Sequence, residues 1–263
     1  MKVAVFSDGH GNLTAMQAVL ADIKSQRPDN TVFAGDLCVF GACPADTLAL
    51  LRQNPHILSV YGNTDELILQ PPTLSDDLNQ KQREHLKFKL NSANWVKDQL
   101  SGADLRWLKK MPFGHRLSPT PNPKDDLLIV HANPKDIHQY IFPKEEAQRI
   151  KLGNVPFKQT PQDLAQMLSG LEANVIAFGH IHFPYIRQWQ NLTLANISSV
   201  SNPMDGDTHA KYGLLTWNAT SRWQVEIKRV AYDIQQEQAE LAVRRPPKWE
   251  TLIRMLDGEL FLG

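Results

Sequence analysis

Five short polar clusters in the sequence contain the residue types that bind divalent metal ions. Each cluster follows a short apolar run, and together they hold aspartate, asparagine and histidine side chains. Carboxylate oxygens and imidazole nitrogens are common ligands of such ions. A lone histidine is more often a surface residue than a ligand. The evidence for a metal site is therefore that all five clusters follow predicted strands and contain possible ligands. The clusters are Asp8-Gly9-His10, Gly35-Asp36, Gly62-Asn63-Thr64-Asp65, His131 and Gly179-His180-Ile181-His182.

The spacing inside two clusters suits a site that holds two ions. In extended backbone, residues i and i+2 point to one face about 6.6 Å apart, and two-metal sites hold their ions about 3.5–4 Å apart. Asp8 and His10 have this spacing, as do His180 and His182. Asp36 has two oxygens and can bridge both ions. We expect glycine to permit a sharp turn after each strand, at Gly35, Gly62 and Gly179.

The charge of these residues favours phosphate chemistry. Two divalent ions bring four positive charges, of which Asp8 and Asp36 remove two, while Asn63 and neutral imidazoles remove none. A hydroxide that bridges the ions removes one more. The site stays positive, which suits an anionic phosphoryl group and its transition state. The residues therefore predict a metal-dependent phosphohydrolase.

Alternating strands and helices are predicted to bring the first three clusters together. Parallel βαβ units have right-handed connections, and side chains just past the strand ends share one crevice. The periodicity predicts strands at Val3–Phe6, Thr31–Ala34 and Ile57–Tyr61, separated by helices at Thr14–Ser25 and Ala45–Gln53.

The remaining chain is predicted to be helical first and rich in strands later. We expect one domain over residues 1–263, with a helical insertion at about 70–115 and a helical tail at about 234–263, broken at Pro246-Pro247. The predicted helices are Gln80–Leu100, Ser101–Lys110 and one that starts at Thr160. The predicted strands are Leu127–Val130, Val175–Phe178 and four short runs expected to be antiparallel, Tyr185–Trp189, Leu192–Ile197, Tyr212–Trp217 and Trp223–Val230.

The clusters, in this order, resemble the motifs of the calcineurin-like metallophosphoesterase superfamily. The matching residues are Ser-Asp-Gly-His-Gly-Asn at 7–12, Ala-Gly-Asp-Leu at 34–37, Tyr-Gly-Asn-Thr-Asp at 61–65, Val-His-Ala at 130–132 and Phe-Gly-His-Ile-His at 178–182. The closer resemblance is to small bacterial and archaeal phosphoesterases. It implies an α/β (α+β) fold, a four-layer αββα sandwich of two mixed sheets flanked by helices.

The resemblance also implies a role for each matching residue. One ion would be bound by Asp8, His10, Asp36 and His182, and the other by Asp36, Asn63, His131 and His180. Asn12 matches a position close to the substrate phosphate. Asn63, Thr64 and Asp65 are the candidate catalytic residues, and we expect Asp65 to support either Thr64 or a ligand histidine.

Two departures from the superfamily pattern affect the expected substrate. Thr64 replaces a histidine that in much of the superfamily contacts the phosphate and assists the leaving group. Small relatives that lack this histidine are associated with phosphodiester hydrolysis. Met204 replaces an arginine of the pattern Pro-Arg-Asp-Gly-Asp, and His209 stands where relatives often have arginine. We therefore expect phosphodiesters or nucleotide-type substrates.

Several alternatives remain open. The protein could instead be a phosphomonoesterase or protein phosphatase, a dinucleoside polyphosphate hydrolase, or a non-catalytic binding module on the same fold. The cofactors would be two divalent ions, with manganese, iron, zinc, nickel and cobalt all compatible and manganese expected to support activity in vitro. The protein could also form a homo-oligomer.

Composition restricts the partners and the compartment. The 263 residues hold 28 Lys+Arg and 28 Asp+Glu, so a zero net charge argues against a nucleic-acid partner. Apolar runs are too short to span a membrane, and Asp8 interrupts the N-terminus too early for a signal peptide. We predict a cytoplasmic protein with Cys38 and Cys43 as free thiols and a small phosphoester as substrate.

Overall fold

Two five-stranded sheets form the centre of the protein in the computed structural model, which describes residues 1–144 and 159–259. The strands are β1 (Lys2–Phe6), β2 (Asn30–Phe33), β3 (Ile57–Ser59), β4 (Gly114–Leu117), β5 (Leu127–Val130), β6 (Val175–Phe178), β7 (Tyr185–Trp189), β8 (Leu192–Asn196), β9 (Ala210–Asn218) and β10 (Arg222–Val230). The helices are α1 (Leu13–Gln26), α2 (Pro44–Arg52), α3 (Asn63–Leu69), α4 (Gln80–Lys97), α5 (Gly102–Leu108), α6 (Pro161–Leu168), α7 (Ile234–Arg244) and α8 (Trp249–Leu256), with a 3-10 turn at Pro123–Asp125.

The first sheet has the order β10-β9-β1-β2-β3, and the second has the order β4-β5-β6-β8-β7. In the first sheet β1, β2 and β3 are parallel, as predicted, and β9 pairs antiparallel with β1. In the second sheet β5, β6 and β8 are parallel, whereas β4 and β7 are antiparallel edge strands. Both sheets are therefore mixed.

The apolar core lies in layers on either side of each sheet. Val3 and Val5 of β1 face the second sheet and pack in one cluster with Leu127 and Val175. The alternate residue Phe6 faces the other side and packs with α1 and α2. A third cluster lies between the second sheet and α6. The predicted layers of helix, sheet, sheet and helix are confirmed.

Three local predictions differ from the structure. The strand β8 is antiparallel to β7, as expected, but it also pairs in parallel with β6, because two chain reversals through β7 restore the direction. The strand β4 was not predicted, since Gly114–Leu117 has no apolar alternation. The helix α3 was not predicted either, because it begins inside the polar cluster at Asn63.

Other predictions agree closely with the structure. The strands β5, β6 and β7 have their predicted bounds, and α5 and α6 begin after the expected N-cap residues Ser101 and Thr160. The helical tail breaks between α7 and α8 at the two prolines. Cys38 and Cys43 are free and buried. Among the described residues, no helix is both long and apolar enough to cross a membrane.

Candidate metal centre

The five polar clusters meet at the carboxyl ends of parallel strands from both sheets. Asp8 and His10 follow β1, Asp36 follows β2, and Asn63 follows β3. From the second sheet, His131 follows β5, and the pair His180 and His182 follows β6. The strands of each sheet run in parallel here, so their ends share one edge. The site therefore spans both sheets.

A first group of ligand atoms is formed by Asp8, His10 and His182. The Nε2 atoms of the two histidines lie 3.1 Å apart. Asp8 Oδ1 lies 3.1 Å from His182 Nε2 and 3.7 Å from His10 Nε2. Three ligand atoms from β1 and β6 thus converge on one point.

A second group lies beside the first and includes Asp36 and His131, with Asp8 again within reach. His131 Nε2 lies 2.9 Å from Asn63 Oδ1, 3.1 Å from His180 Nδ1 and 3.5 Å from Asp36 Oδ1. The predicted second set, Asp36, Asn63, His131 and His180, is therefore assembled in one place.

Asp36 lies between the two groups. Its Oδ2 is 3.9 Å from His10 Nε2, and its Oδ1 is 3.5 Å from His131 Nε2. Each oxygen thus faces a histidine of a different group. This is the arrangement required of a carboxylate that bridges two ions.

Each of the four histidines is oriented by a backbone carbonyl on its outer side. The Nδ1 atoms of His10, His131 and His182 lie 2.8, 2.9 and 2.9 Å from the carbonyl oxygens of residues 39, 34 and 202. His180 is reversed, with Nε2 3.2 Å from the carbonyl of residue 138. Donation of the outer N–H to a carbonyl leaves the inner nitrogen unprotonated, which is the form that binds a metal.

The distances fit divalent ions. Nitrogen and oxygen ligands at about 2.1 Å from one ion lie about 3.0–3.4 Å apart in octahedral or tetrahedral geometry. The separations of 3.1 Å within the pairs His10–His182 and His131–His180 agree with this value. Two inward lone pairs so close repel each other unless a cation or a proton lies between them. The donor set is all nitrogen and oxygen, which suits first-row transition metals.

Burial and neighbouring charges divide the histidines into two pairs. Burial, assisted by His131, lowers the pKa of His180 to about 3. Burial and the adjacent His182 also lower the pKa of His10. Burial opposes charging of His131 and His182 as well, but Asp36 and Asp8 outweigh it and raise the pKa of both. Each metal group thus contains one histidine that resists protonation and one that favours it.

The backbone of the ligands is strained, which corrects the expectation of extended chain. Asp8, His10, Asp36, His180 and His182 all have φ between 44° and 68°. This left-handed region is uncommon for residues other than glycine and concentrates at functional sites. The i and i+2 pairs therefore reach the site from tight turns, and His180 and His182 belong to different metal groups.

The glycines also act differently from the prediction. Of the three glycines Gly35, Gly62 and Gly179, only Gly35 has a positive φ, at +93°. At Gly62 and Gly179 the requirement is space, because an added Cβ would lie 2.2 Å from Asp36 Oδ1 and 2.0 Å from Asp8 Oδ2 respectively. Glycine at these two positions lets another strand's backbone approach a ligand carboxylate.

The structure gives Asp65 partners other than those predicted. Its buried carboxylate accepts hydrogen bonds from the backbone N–H groups of Asp36, Leu37 and Gly62 at 2.8–3.0 Å, and not from Thr64 or a ligand histidine. Burial and the charge of Asp36 raise the pKa of Asp65 to about 7. Asp65 is therefore a positioning residue that holds the turn carrying Asp36.

Thr64 and Asn12 both line the cavity above the site. The Thr64 N–H donates to Asp36 Oδ1 at 2.8 Å, and its buried hydroxyl has no hydrogen-bond partner among the described residues. Asn12 is the N-cap of α1, where its Oδ1 accepts from the Ala15 N–H at 2.9 Å. Its Nδ2 faces the Tyr232 hydroxyl at 3.5 Å. Contact of Asn12 with a phosphate remains a prediction.

The loop that carries Met204 is attached to β9 by a buried lysine. Lys211 is fully buried and pairs with Asp205 at 3.0 Å and Asp207 at 3.3 Å. His209 lies at the exposed side of this cluster, 2.6 Å from Asp207. Met204 lines the cavity, so the position of the missing arginine is at the substrate side.

The sequence prediction missed the aromatic side chains around the ligands. The Tyr140 ring stacks on His180 at 4.5 Å between centroids, and the Phe40 ring lies 5.8 Å from His10. The one signal in the sequence for these rings was the position of Phe40, four residues after the candidate ligand Asp36. These rings belong to a cavity of about 400 Å³ above the metal centre.

Comparisons with known proteins agree with this architecture. Residues 1–220 match the calcineurin-like phosphoesterase superfamily domain. The chain is similar to the Methanocaldococcus jannaschii protein MJ0912, with 30% identity over 99% of this chain and 98% of that protein. Among solved structures, a metallophosphoesterase from Sphaerobacter thermophilus has a TM-score of 0.70 at 24% identity, with 98% of each chain covered. The protein PH1004 from Pyrococcus horikoshii has a TM-score of 0.74 at 15% identity, with 97% of each chain covered. The chain therefore belongs to the calcineurin-like phosphoesterase superfamily and is a hydrolase of phosphoester bonds.

Proposed function

We propose that the protein is a two-metal phosphodiesterase. Asp8, His10 and His182 would hold one ion, Asn63, His131 and His180 would hold the other, and Asp36 would bridge them. The observation that carries this proposal is the orientation of the four histidines, each with one ring nitrogen on a backbone carbonyl and the other turned inward. Asp36, with one oxygen toward each group, supports two ions rather than one.

When bound, the two ions would supply Lewis acidity and a bridging hydroxide as nucleophile. The protein's own residues set the remaining chemistry. With ions bound, the inward histidine nitrogens would be neutral donors, so the ligand set would leave net positive charge for a phosphoryl group. Aromatic rings lie directly beside His10 and His180.

A preference for diesters over monoesters is supported by Thr64. A monoester needs a proton or strong charge stabilisation at its leaving oxygen, and a near-neutral general acid typically provides it. Thr64 lines the cavity, but a threonine hydroxyl has no near-neutral pKa and cannot act as that acid. An activated diester, which has a good leaving group and a single negative charge, needs less assistance.

The donor set supports manganese as the first metal to test, and iron, zinc, nickel and cobalt as further choices. The cytoplasmic location and the absence of a nucleic-acid partner stay predictions from composition.

The test compares bis(4-nitrophenyl) phosphate with 4-nitrophenyl phosphate in the presence of Mn²⁺. We expect metal-dependent turnover with a higher kcat/KM for the diester. Asp36→Asn, nearly isosteric but neutral, should lose at least a hundredfold in kcat/KM because the bridging charge is removed. Asp98→Asn, at an exposed position on the end of α4, is the matched control and should keep wild-type activity.

Other substrate preferences would indicate one of the alternative functions. A higher kcat/KM for the monoester would identify a phosphomonoesterase, and turnover confined to dinucleoside polyphosphates would identify a hydrolase of those compounds. Retention of metal without turnover of any phosphoester would identify a binding module.

A further inference from the structure

We propose that the substrate carries an extended apolar substituent on its phosphate, and that the C-terminal helices α7 and α8 supply the wall that binds it. The inference rests on the proposed function and names the substrate class of the same site.

The cavity has more space than a phosphate group needs. The ligands His10, Asp36, Asn63, His180 and His182 form its floor, and its volume is about 400 Å³. Cavities of about 300–1,000 Å³ hold whole small molecules. The space above the floor must therefore hold the organic part of a substrate.

The part of the wall next to the candidate metal ligands consists of aromatic side chains. The Phe40 ring lies 5.8 Å from the His10 ring and stacks on Phe88 at 5.4 Å with an interplanar angle of 22°. On the other side, Tyr140 stacks on His180 at 4.5 Å and lies 5.4 Å from Phe142. Each metal group thus has an apolar surface beside it, so substituents on the phosphate meet carbon surface.

The C-terminal helices extend this surface. Leu241 of α7 and Leu252, Met255 and Leu256 of α8 line the cavity. Their spacing on α8, at i, i+3 and i+4, places them on one face of the helix. These helices lie beyond residue 220, where the match to the family domain ends. The C-terminal helices therefore continue the apolar surface that the aromatic side chains begin beside the ligands.

The chemistry of the wall favours an alkyl or aryl group over a nucleobase. A base exposes hydrogen-bond donors and acceptors along its edge, and burial without partners is costly. Most of the lining surface is apolar and includes the side chains of Phe40, Phe88, Leu252 and Met255, while His85, Lys89, Glu237 and Thr251 add polar groups to it. The Lys248 Nζ lies 4.4 Å from the Phe88 ring, so a cation adjoins the apolar surface.

The experiment uses 4-nitrophenyl phosphodiesters in which the second ester group is methyl, butyl or hexyl. The leaving group is constant, so the chemical step is matched across the series. Each methylene that is fully buried should raise kcat/KM about fourfold, and we expect at least a thirtyfold rise from methyl to hexyl. A 4-nitrophenyl ester of thymidine 5′-phosphate should be turned over less efficiently than the hexyl ester.

Two variants test whether the wall residues cause the rise in kcat/KM with alkyl length. Met255→Gln keeps the approximate size of the side chain while adding a polar group, and Phe88→Gln replaces the ring with a smaller polar side chain. Each should reduce the hexyl-to-methyl ratio at least fivefold. Val243→Gln is the control, since Val243 is 79% exposed on α7 and does not line the cavity. It should keep the wild-type ratio. An unchanged ratio in both wall variants, a flat wild-type series, or preference for the thymidine ester would overturn the inference.

A binding measurement separates this inference from the proposed function. Calorimetry with methylphosphonate and hexylphosphonate in the presence of Mn²⁺ requires no turnover. Tighter binding of hexylphosphonate by at least tenfold, without hydrolysis of any ester, would support the apolar wall while contradicting the phosphodiesterase. Equal dissociation constants together with diester hydrolysis would contradict the wall alone.

Discussion

The orientation of the candidate metal ligands is determined at the scale of single residues by backbone groups. Carbonyl oxygens hold the outer nitrogens of His10, His131, His180 and His182. Backbone N–H groups hold Asp65, which in turn fixes the turn that carries Asp36. Because these contacts do not involve the ions, we expect the ligand geometry to persist in metal-free protein.

Thr64→His should restore a general acid beside the phosphate. The expected result is a rise of at least tenfold in the monoester-to-diester ratio of kcat/KM, because general acid catalysis is typically worth about 10²–10⁴-fold. The ratio is measured with the two 4-nitrophenyl substrates. Thr64→Ala removes the hydroxyl without adding an imidazole and should not raise the ratio. A wild-type preference for the monoester would refute this explanation, whatever the variant does.

Gly62→Ala should disrupt the metal centre through one added carbon atom. The new Cβ would lie 2.2 Å from Asp36 Oδ1, so the bridging carboxylate must move. We expect at least a hundredfold loss in kcat/KM and a loss of bound metal. Gly102→Ala is the matched control, because its Cβ would meet only the end of Arg106 at 3.4 Å. Full activity of the Gly62 variant would show that Asp36 is not required in its observed position.

At the scale of elements, the sequence predicted the strands better than the turns that follow them. The strands β5 and β6 are continuous apolar runs, which is why their bounds agree with the structure. The turn at Asp8 and His10 adopts left-handed φ through contacts between β1 and β2, which short-range periodicity does not encode. A helical tail broken at Pro246-Pro247 was predicted, but the position of α8 beside the candidate metal centre follows only from the tertiary fold.

The contact between α7 and α1 should make stability depend on pH. Glu237 is 1% exposed, accepts a hydrogen bond from the Thr14 hydroxyl at 3.1 Å, and leaves Oε1 without a partner among the described residues. Burial raises the pKa of Glu237 from 4.5 to about 7, with Glu240 acting in the same direction and Thr14 and Arg244 opposing. The folded state thus binds a proton that the unfolded chain has released, so stability falls as pH rises between about 4.5 and 7.

Glu237→Gln should remove this dependence. The amide resembles the protonated acid and keeps an acceptor for Thr14, so we expect the variant to be more stable than wild type at pH 8 by up to roughly 3 kcal/mol. At pH 4.5 the two should be equal. Urea unfolding at several pH values measures the difference, and Glu250→Gln, at an exposed position on α8, is the control. A constant difference between pH 4.5 and 8 would show that Glu237 is charged in the folded protein.

At the scale of the whole molecule, the metal ions would join the two sheets. Asp8, His10 and Asp36 come from the first sheet, and His131 and His182 come from the second. Binding that requires both sheets in place stabilises the folded state by mass action. Saturation of one site at about 100 times its Kd adds about 2.7 kcal/mol.

Added Mn²⁺ should therefore raise the Tm of chelator-treated protein by roughly 5 °C or more, since about 1 kcal/mol shifts Tm by about 2–4 °C in a protein of this size. Differential scanning calorimetry measures the shift. The double variant His10→Ala with His131→Ala removes one ligand from each group and should lose most of it. An equal shift in the double variant would show that the ions stabilise the protein from another site.

The central claim, a dinuclear centre divided between two histidine pairs, is tested most directly by metal stoichiometry. Protein saturated with Mn²⁺ and freed of excess ion is measured by inductively coupled plasma mass spectrometry. We expect about two ions per chain in wild type and about one in each of His10→Ala, His182→Ala, His131→Ala and His180→Ala. One ion or none in wild type, or two ions in all four variants, would contradict the account.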